Sequence, residues 1–311
     1  GELRAEDIGK EHTLMGWINT RRDHGGVIFC DLRDYTGLSQ VVFATQHDEE
    51  AFEKADRLRS EFVIAAKGVV AKRDPETINP KMVTGEVELH VKEVKILNTC
   101  NLLPFQIADD QQEVGEKTRL KFRTLDLRRP AMQQILMLRS KAAHAIRSFF
   151  VENGFFEVET PVLTKSTPEG ARDFLVPSRV NGGKFFALPQ SPQLFKQMLM
   201  VSGFDRYFQI VKCFRDEDLR GNRQPEFTQV DIELSFTNQE QILGLMESMV
   251  SRLFKETIGY DVQLPIRQMT YDEAYNKYGS DAPDLRFELP LIDLSEVIAN
   301  CGFKVFSNAI E

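Results

Sequence analysis

The stretch 208–236, FQIVKCFRDEDLRGNRQPEFTQVDIELSF, constrains the fold more than any other part of the sequence. Two runs of strand-forming residues, 207–214 and 227–236, flank a polar loop crowded with Arg215, Asp216, Glu217, Asp218, Arg220 and Arg223. That pattern predicts an antiparallel hairpin with a long charged loop. In the second run Val230, Ile232 and Leu234 fall on one face, and Gln229, Asp231, Glu233 and Ser235 on the other. The first face suits a core. The second, with two carboxylates beside a guanidinium, suits a polar pocket: Arg215 offers a planar fork to a carboxylate or phosphate, and Phe227 an apolar ring to a flat base. A solvated hairpin with surface ion pairs is the alternative.

The N-terminal third reads as all-β with one helix. Strands are predicted over 13–19, 27–32, 38–43, 62–71 and 86–96, with turn signals at His24-Gly25-Gly26, Asp34-Tyr35-Thr36-Gly37 and Thr84-Gly85. Within 48–60, Ala51, Phe52, Ala55 and Leu58 recur at helical spacing. Five strands with a helix between the third and fourth is the layout of an OB-fold barrel, a shape that binds oligonucleotides, sugars or proteins. Arg21, Arg22, Phe29, Arg33 and Gln40 supply stacking and hydrogen-bonding groups for unpaired bases. Phe29 taken alone reads as a core residue.

Residues 98–126 are polar and carry a proline, which predicts a linker or hinge, with Lys117, Arg119, Lys121 and Arg123 available to a nucleic-acid backbone. A long helix is predicted over 131–152, with Ile135, Leu138, Ala142, Ile146 and Phe149 on one stripe, ended by Gly154 and followed by a strand over 155–163. The segment 165–173 has a loop composition with one acid, Glu169. A strand over 185–190 precedes a helix over 191–201, with Ser191 as N-cap and Pro192 at its first position. Gln193 and Lys196 share a face of that helix; Lys196 taken alone reads as surface charge. Beyond the hairpin, Thr237 to Glu240 is similar to a capping box opening an amphipathic core helix, and 269–278 is a shorter helix.

Bulk properties exclude some classes. At 311 residues, 42% hydrophobic and 28% charged, the chain is globular and long enough for two domains. No apolar run approaches the roughly 20 residues that span a bilayer. Cys30, Cys100, Cys213 and Cys301 are too scattered for a zinc ribbon or disulfide framework, which points to a reduced, cytoplasmic setting. A net charge of −8 argues against a protein that grips nucleic acid mainly by its phosphates, but not against one that reads bases and shape.

Phe214, Arg215 and Glu217, followed by Arg223 and Phe227, resemble motif 2 of the class II aminoacyl-tRNA synthetases, and RQPEFTQVDIE resembles the bacterial-type aspartyl-tRNA synthetases in particular. Gly154, Phe155 and Pro161 are similar to the dimer-forming motif 1, and TPEGARDFLVPSR and LPQSPQLFKQ to the family's aspartate-binding segments. The resemblance implies a multidomain α+β protein. Its expected parts are an OB-fold anticodon-binding barrel over 1–103, a hinge over 104–128, the first part of a catalytic domain over 129–280 (an antiparallel sheet with flanking helices, incomplete here), and over 281–311 a segment leading to an inserted domain.

The resemblance also implies roles. Glu169, Ser191, Gln193, Lys196, Arg215 and Asp231 would surround L-aspartate, while Arg215, Asp216, Glu217, Gln224 and Phe227 would hold ATP. Phe29 and Gln40, with Glu88 and Arg22, would read the anticodon of the aspartate tRNA; His24 is of the type seen in relatives that also charge the asparagine tRNA. The expected partners are these tRNAs, aspartate, ATP and a second copy of the chain. Magnesium is implied by the ATP chemistry, with ligands outside this sequence. The family's third motif, glycine-rich and ending in arginine, is missing: after Asp231 the only glycines are Gly244, Gly259, Gly279 and Gly302. The expectation is a chain truncated at Glu311 and inactive, or nearly so, by itself. An asparaginyl-tRNA synthetase and a non-catalytic tRNA-binding or dimerising module are the competing readings.

Overall fold

The computed structural model describes residues 1–108, 113–221, 223–287, 289–298 and 302–310. The chain divides into two compact units, Gly1–Met137 and Leu138–Glu311.

In the first unit five strands close a barrel in the order β1-β2-β3-β5-β4: β1 (Glu11–Asp23), β2 (Val27–Asp34), β3 (Gly37–Ala44), β4 (Val63–Lys72) and β5 (Val87–Asn98), with helix α1 (Glu49–Asp56) between β3 and β4. This is the OB-fold layout, four of the five strands running longer than their predicted ranges and β4 shifted by one residue. All neighbours pair antiparallel except β3 and β5, whose parallel pairing closes the cylinder. Asp48 caps α1 by accepting the Ala51 N–H. Alternate residues fill the interior: Ile18, Val41, Phe43, Leu58, Ile64, Leu89 and Val91 are fully buried, each contributing roughly 1.5–3 kcal/mol of burial. Gly68 lies where β4 and β5 approach so closely that a Cβ would sit 2.0 Å from the His90 carbonyl oxygen.

The segment expected to be a linker or hinge carries short helices and buried residues. Phe105 and Ile107 are buried, and α2 (Glu116–Lys121) and α3 (Arg123–Asp126) follow. The carboxylate of Asp126 is completely buried and takes ion pairs from Arg119, Arg123 and Arg129. Polar composition therefore concealed a charge-centred cluster. Arg119 and Arg123, expected to face a nucleic-acid backbone, are engaged in that cluster.

The second unit is organised on a three-stranded sheet of order β10-β9-β6. Helix α4 (Pro130–Glu152) crosses from the first unit into the second and leads into β6 (Phe156–Glu157); β7 (Leu175–Pro177) and β8 (Phe185–Ala187) form a separate ribbon; α5 (Gln193–Val201), β9 (Arg206–Phe214), β10 (Glu226–Leu234), α6 (Gln239–Ile258) and α7 (Tyr271–Tyr278) follow. Short helices occupy Ser295–Ile298 and Lys304–Ile310. The predicted hairpin is present, β9 and β10 pairing from Arg206–Leu234 to Phe214–Glu226. Its apolar face packs Phe208, Val230, Ile232 and Leu234 against Phe149, Phe150 and Phe155.

Several expectations are corrected. The strand over 155–163 is only two residues long, since Pro161 has no N–H to give a ladder and Thr160 instead donates to Gln209. The α4 stripe is buried only toward its C-terminal end: Ile135 and Leu138 are exposed, while Phe149 is buried. Ser191 does not cap α5; Pro192 holds that position, and the serine hydroxyl is used elsewhere. The capping box of α6 sits one residue later, between Asn238 and Gln241, and Gly259 ends the helix at a φ of 71°. No α6 residue is fully buried; Leu245, Met246 and Met249 pack only partly against the core. Cys30, Cys100 and Cys213 are free thiols, and Cys301 lies outside the described residues. Among the described residues no helix is long and apolar enough to cross a membrane.

Candidate functional site

The polar face of the hairpin follows from its register. Asp231 stands opposite Gln209, Glu233 opposite Tyr207, and Phe227 opposite Cys213. Behind this row Gln209 accepts from both the Tyr207 hydroxyl and Thr160, each at 2.9 Å. Lys196 reaches the row from the second turn of α5, its Nζ 3.0 Å from Asp231 Oδ1 and 3.2 Å from Glu233 Oε2. Burial opposes the charge on Lys196, but the two carboxylates outweigh it and hold the ammonium above its ordinary pKa. Asp231 is also shifted upward, because burial, reinforced by repulsion from Glu233, outweighs the help from Lys196. Its Oδ2 is buried without a hydrogen-bond partner. Burial pushes the Cys213 thiol up to about 11, so it is no nucleophile.

Beside this row opens a cleft of about 960 Å³ whose lining includes Glu169, Gln190, Arg215, Glu217, Gln224 and Phe227. Arg215 follows the last residue of β9, where its N–H donates to the Pro225 carbonyl. Its guanidinium carbon lies 5.2 Å from the centre of the Phe227 ring. The Arg215 Nε is buried and has no partner. Glu217 pairs with Arg223 at 3.6 Å. Asp216 is exposed and does not line the cleft; its backbone N–H donates to Arg172.

The loop over 165–173 is tied down by side chains. Ser191 donates to Glu169 Oε2 at 2.6 Å, and Thr167 donates to Oε1 at 2.7 Å. Gln190, 1% exposed, accepts from the Ala171 N–H and donates to the Ala171 carbonyl and to Asp173. Sequence reasoning missed Gln190 and also Arg139, which lines the cleft and donates to Thr228 at 2.8 Å. Only the polarity of Gln190 inside an apolar run could have drawn attention to it. The structure thus gathers Glu169, Arg215, Glu217, Gln224 and Phe227 in one cleft, joins Ser191 to it through Glu169, and sets Lys196 and Asp231 as a pair on the adjoining face. Gln193 opens α5 and is half-buried. Among the described residues no three His, Cys, Asp or Glu side chains cluster to hold a metal ion.

A second polar constellation lies on the outside of the barrel. Pairing carries Thr20, Asp31 and Gln40 across β1, β2 and β3, and Arg22, Phe29, Val42 and His90 along the next row through β5. Phe29 is half-buried on this outer face, since its neighbours Ile28 and Cys30 occupy the core, and the His24 ring meets its ring edge-on at 5.6 Å. Arg22 Nη2 donates to both Asp31 and Gln40 at 3.0 Å, and Gln40 Nε2 donates to Glu88 at 2.7 Å. Burial works against the charge on Glu88, yet the bonds from His90 and Gln40 outweigh it and lower its pKa. Arg33 is a correction: it is buried, donating to Glu61 at 2.8 Å and to Asn19 at 2.7 Å, and so is unavailable to a ligand. Arg21 is likewise held by Asp23 and Asp56.

Residues 12–97 match the OB-fold nucleic-acid-binding domain, and residues 115–302 match the class II tRNA synthetases of the D, K and N group. The chain is 56% identical over its full length to the aspartate–tRNA(Asp/Asn) ligase of Syntrophotalea carbinolica and 58% identical to that of Thermodesulfovibrio yellowstonii, covering 52% of each. It therefore spans about half the length of the curated relatives it matches. Among solved structures, the asparaginyl-tRNA synthetase of Pyrococcus horikoshii complexed with asparaginyl-adenylate superposes with a TM-score of 0.72 at 27% identity, over 83% of this chain and 57% of that one. A profile match over more than half of the sequence, on a fold shared with a solved synthetase, places this chain in the class II tRNA synthetases (D, K and N).

Proposed function

We propose that the chain supplies the anticodon-reading barrel and the first part of the adenylate-forming site of an aspartate–tRNA ligase that charges the aspartate tRNA and, as the names of its relatives suggest, the asparagine tRNA. In this reading 1–103 is the anticodon module, 104–128 the connection between modules, 129–280 the first part of the catalytic domain, and 281–311 the approach to a further domain. The exposed Ile135, Leu136, Met137 and Leu138 of α4 give a second copy an apolar surface to pack on.

The reaction has two steps. An oxygen of the aspartate α-carboxylate attacks the α-phosphorus of ATP, and the bond to pyrophosphate breaks. The terminal adenosine hydroxyl of the tRNA then attacks the aspartyl carbonyl and releases AMP. Neither step needs an enzyme nucleophile, so orientation and charge neutralisation carry the catalysis. Arg215 is the group for the α-phosphate and the substrate carboxylate, Phe227 and Glu217 for adenine, and Gln224 for ATP. Lys196 receives the β-carboxylate, and Asp231 the α-ammonium. Glu169, held by Ser191, borders the same pocket. Magnesium would accompany ATP and neutralise charge on its phosphates.

The observation that carries this reading is the meeting of Arg215 and Phe227 in a cleft that also holds Glu169, Glu217 and Gln224. The test is ATP–pyrophosphate exchange by the whole protein with aspartate or asparagine as the amino acid. Exchange with aspartate and not with asparagine is expected, and Lys196→Met should lower it about a hundredfold or more. Equal exchange with asparagine, or an unaffected Lys196→Met enzyme, would overturn the aspartate assignment.

A further inference from the structure

On the barrel's outer face the Gln40 amide is engaged at both ends by groups that have no choice of role. Arg22 can only donate, and it gives its Nη2 proton to Gln40 Oε1 at 3.0 Å. The ionised Glu88 carboxylate can only accept, and it takes the Gln40 Nε2 proton at 2.7 Å. Turning the amide over would set its carbonyl against the carboxylate and its NH2 against the guanidinium, so one orientation wins. What Gln40 has left to offer is one N–H and one carbonyl lone pair, in a fixed order. That is an edge able to tell one base from another.

The remaining freedom in this chain lies in Glu88, and His90 removes it. His90 Nε2 lies 2.9 Å from Glu88 Oε1. Since the carboxylate cannot donate, this nitrogen carries the proton. The two side chains project from alternate positions of β5 on the same face, with Leu89 buried between them. The His90 ring is held in turn by His47, stacked at 4.2 Å and 22° just before α1. Arg73, a further cation among the described residues, lies beside the other carboxylate oxygen with its Nε at 3.9 Å.

We propose that His90 is a positioning residue for base reading: its imidazole holds the Glu88 carboxylate, which fixes the orientation of the Gln40 amide edge. The proposal rests on the anticodon-reading role given to the barrel above. His90 itself touches no base in this scheme. It acts through Glu88, and His47 acts through His90.

The test is binding of the 311-residue chain, at fixed salt, to an anticodon stem-loop of the aspartate tRNA and to the same hairpin with each anticodon base changed in turn. The wild-type chain should prefer the cognate loop, and Gln40→Ala should abolish the preference at one position. His90→Phe, which keeps a ring for His47 but loses the donor, should weaken cognate binding about tenfold, the size of one lost hydrogen bond to a charged group. It should also shrink the preference at the same position as Gln40→Ala, and His90→Gln, whose amide can donate to Glu88, should restore most of both. If Gln40→Ala abolishes the preference while His90→Phe leaves it intact, the positioning role is wrong and base reading by the barrel stands. Equal weakening on every hairpin by His90→Phe, unrescued by His90→Gln, also overturns the role. If Gln40→Ala changes nothing, base reading itself fails and the inference falls with it.

Discussion

The two polar constellations of this chain are built in opposite ways. On the barrel each end of Gln40 has a partner, in a chain running from Asp31 and Arg22 through Gln40 to Glu88 and His90. In the cleft and on the face adjoining it two buried atoms, Arg215 Nε and Asp231 Oδ2, are left without one. An unpartnered buried polar atom costs about 1–3 kcal/mol, which a ligand that bonds to it can offset. The Gln40 edge is thus held at both ends before any ligand arrives, although Arg73 Nη2 behind Glu88 is buried without a partner, whereas Arg215 and Asp231 keep bonds that a ligand can complete. The same contrast runs through the cores. The barrel closes all its strand edges around one apolar cluster. The second unit packs a four-phenylalanine centre under a sheet whose β10 has no partner beyond β9 among the described residues.

The largest effect expected from this contrast is on stability, and it belongs to the barrel. Phe43→Ala, at a fully buried position, should cost about 3–5 kcal/mol. Trp17, the chain's single tryptophan, lies in β1 and makes the barrel's unfolding in urea visible by fluorescence. A loss below about 1 kcal/mol would mean that the barrel core is looser than its burial indicates.

The next effect is on catalysis, and it belongs to the cleft. Arg215→Ala in the whole protein should lower aspartate-dependent pyrophosphate exchange about 10²–10³-fold, while leaving the unfolding midpoint unchanged or raised, because the substitution removes a buried unpartnered Nε. Arg215→Lys should not rescue activity, since an ammonium lacks both the fork and the planar face that lies over Phe227. A marked fall in stability with Arg215→Ala would break the contrast, making the arginine part of the fold's own framework.

What the sequence made legible follows the same division. Strand-forming runs bounded by turn signals located all five barrel strands, and alternation in 227–236 added the polar and apolar faces of the β9–β10 hairpin. The resemblance to the synthetase motifs singled out Glu169, Arg215, Glu217, Gln224 and Phe227, which the structure sets around one cleft. Where the reading failed, basic residues had been offered to a nucleic acid. Asp126 with Arg119, Arg123 and Arg129, and Arg33 with Glu61, are buried ion clusters whose members look, one at a time, like surface residues. Gln190 and His90 were illegible for a related reason: each matters through the partner it holds, Ala171 lying 19 residues away along the chain and Glu88 two residues away on the same strand, where strand alternation alone does not single out a pair.

The smallest expected effect is the sharpest test, because the two constellations differ in sign. Glu88 titrates below its ordinary value of 4.5 in the folded barrel. A depressed carboxylate contributes stability that is present above 4.5 and is lost as pH falls through its folded pKa. Asp231 titrates above its ordinary value of 3.8, so its ionisation weakens the fold at neutral pH, and that penalty is relieved as pH falls through its folded pKa. Lys196 stays charged throughout this acid range and adds no slope of its own. Unfolding free energy measured in urea from neutral to acid pH should therefore show Glu88→Gln losing part of the acid destabilisation and Asp231→Asn steepening it. Slopes that shift in the same direction for both variants would mean that Asp231 is as well satisfied as Glu88. The cleft would then hold no bond in reserve for the ammonium of its substrate.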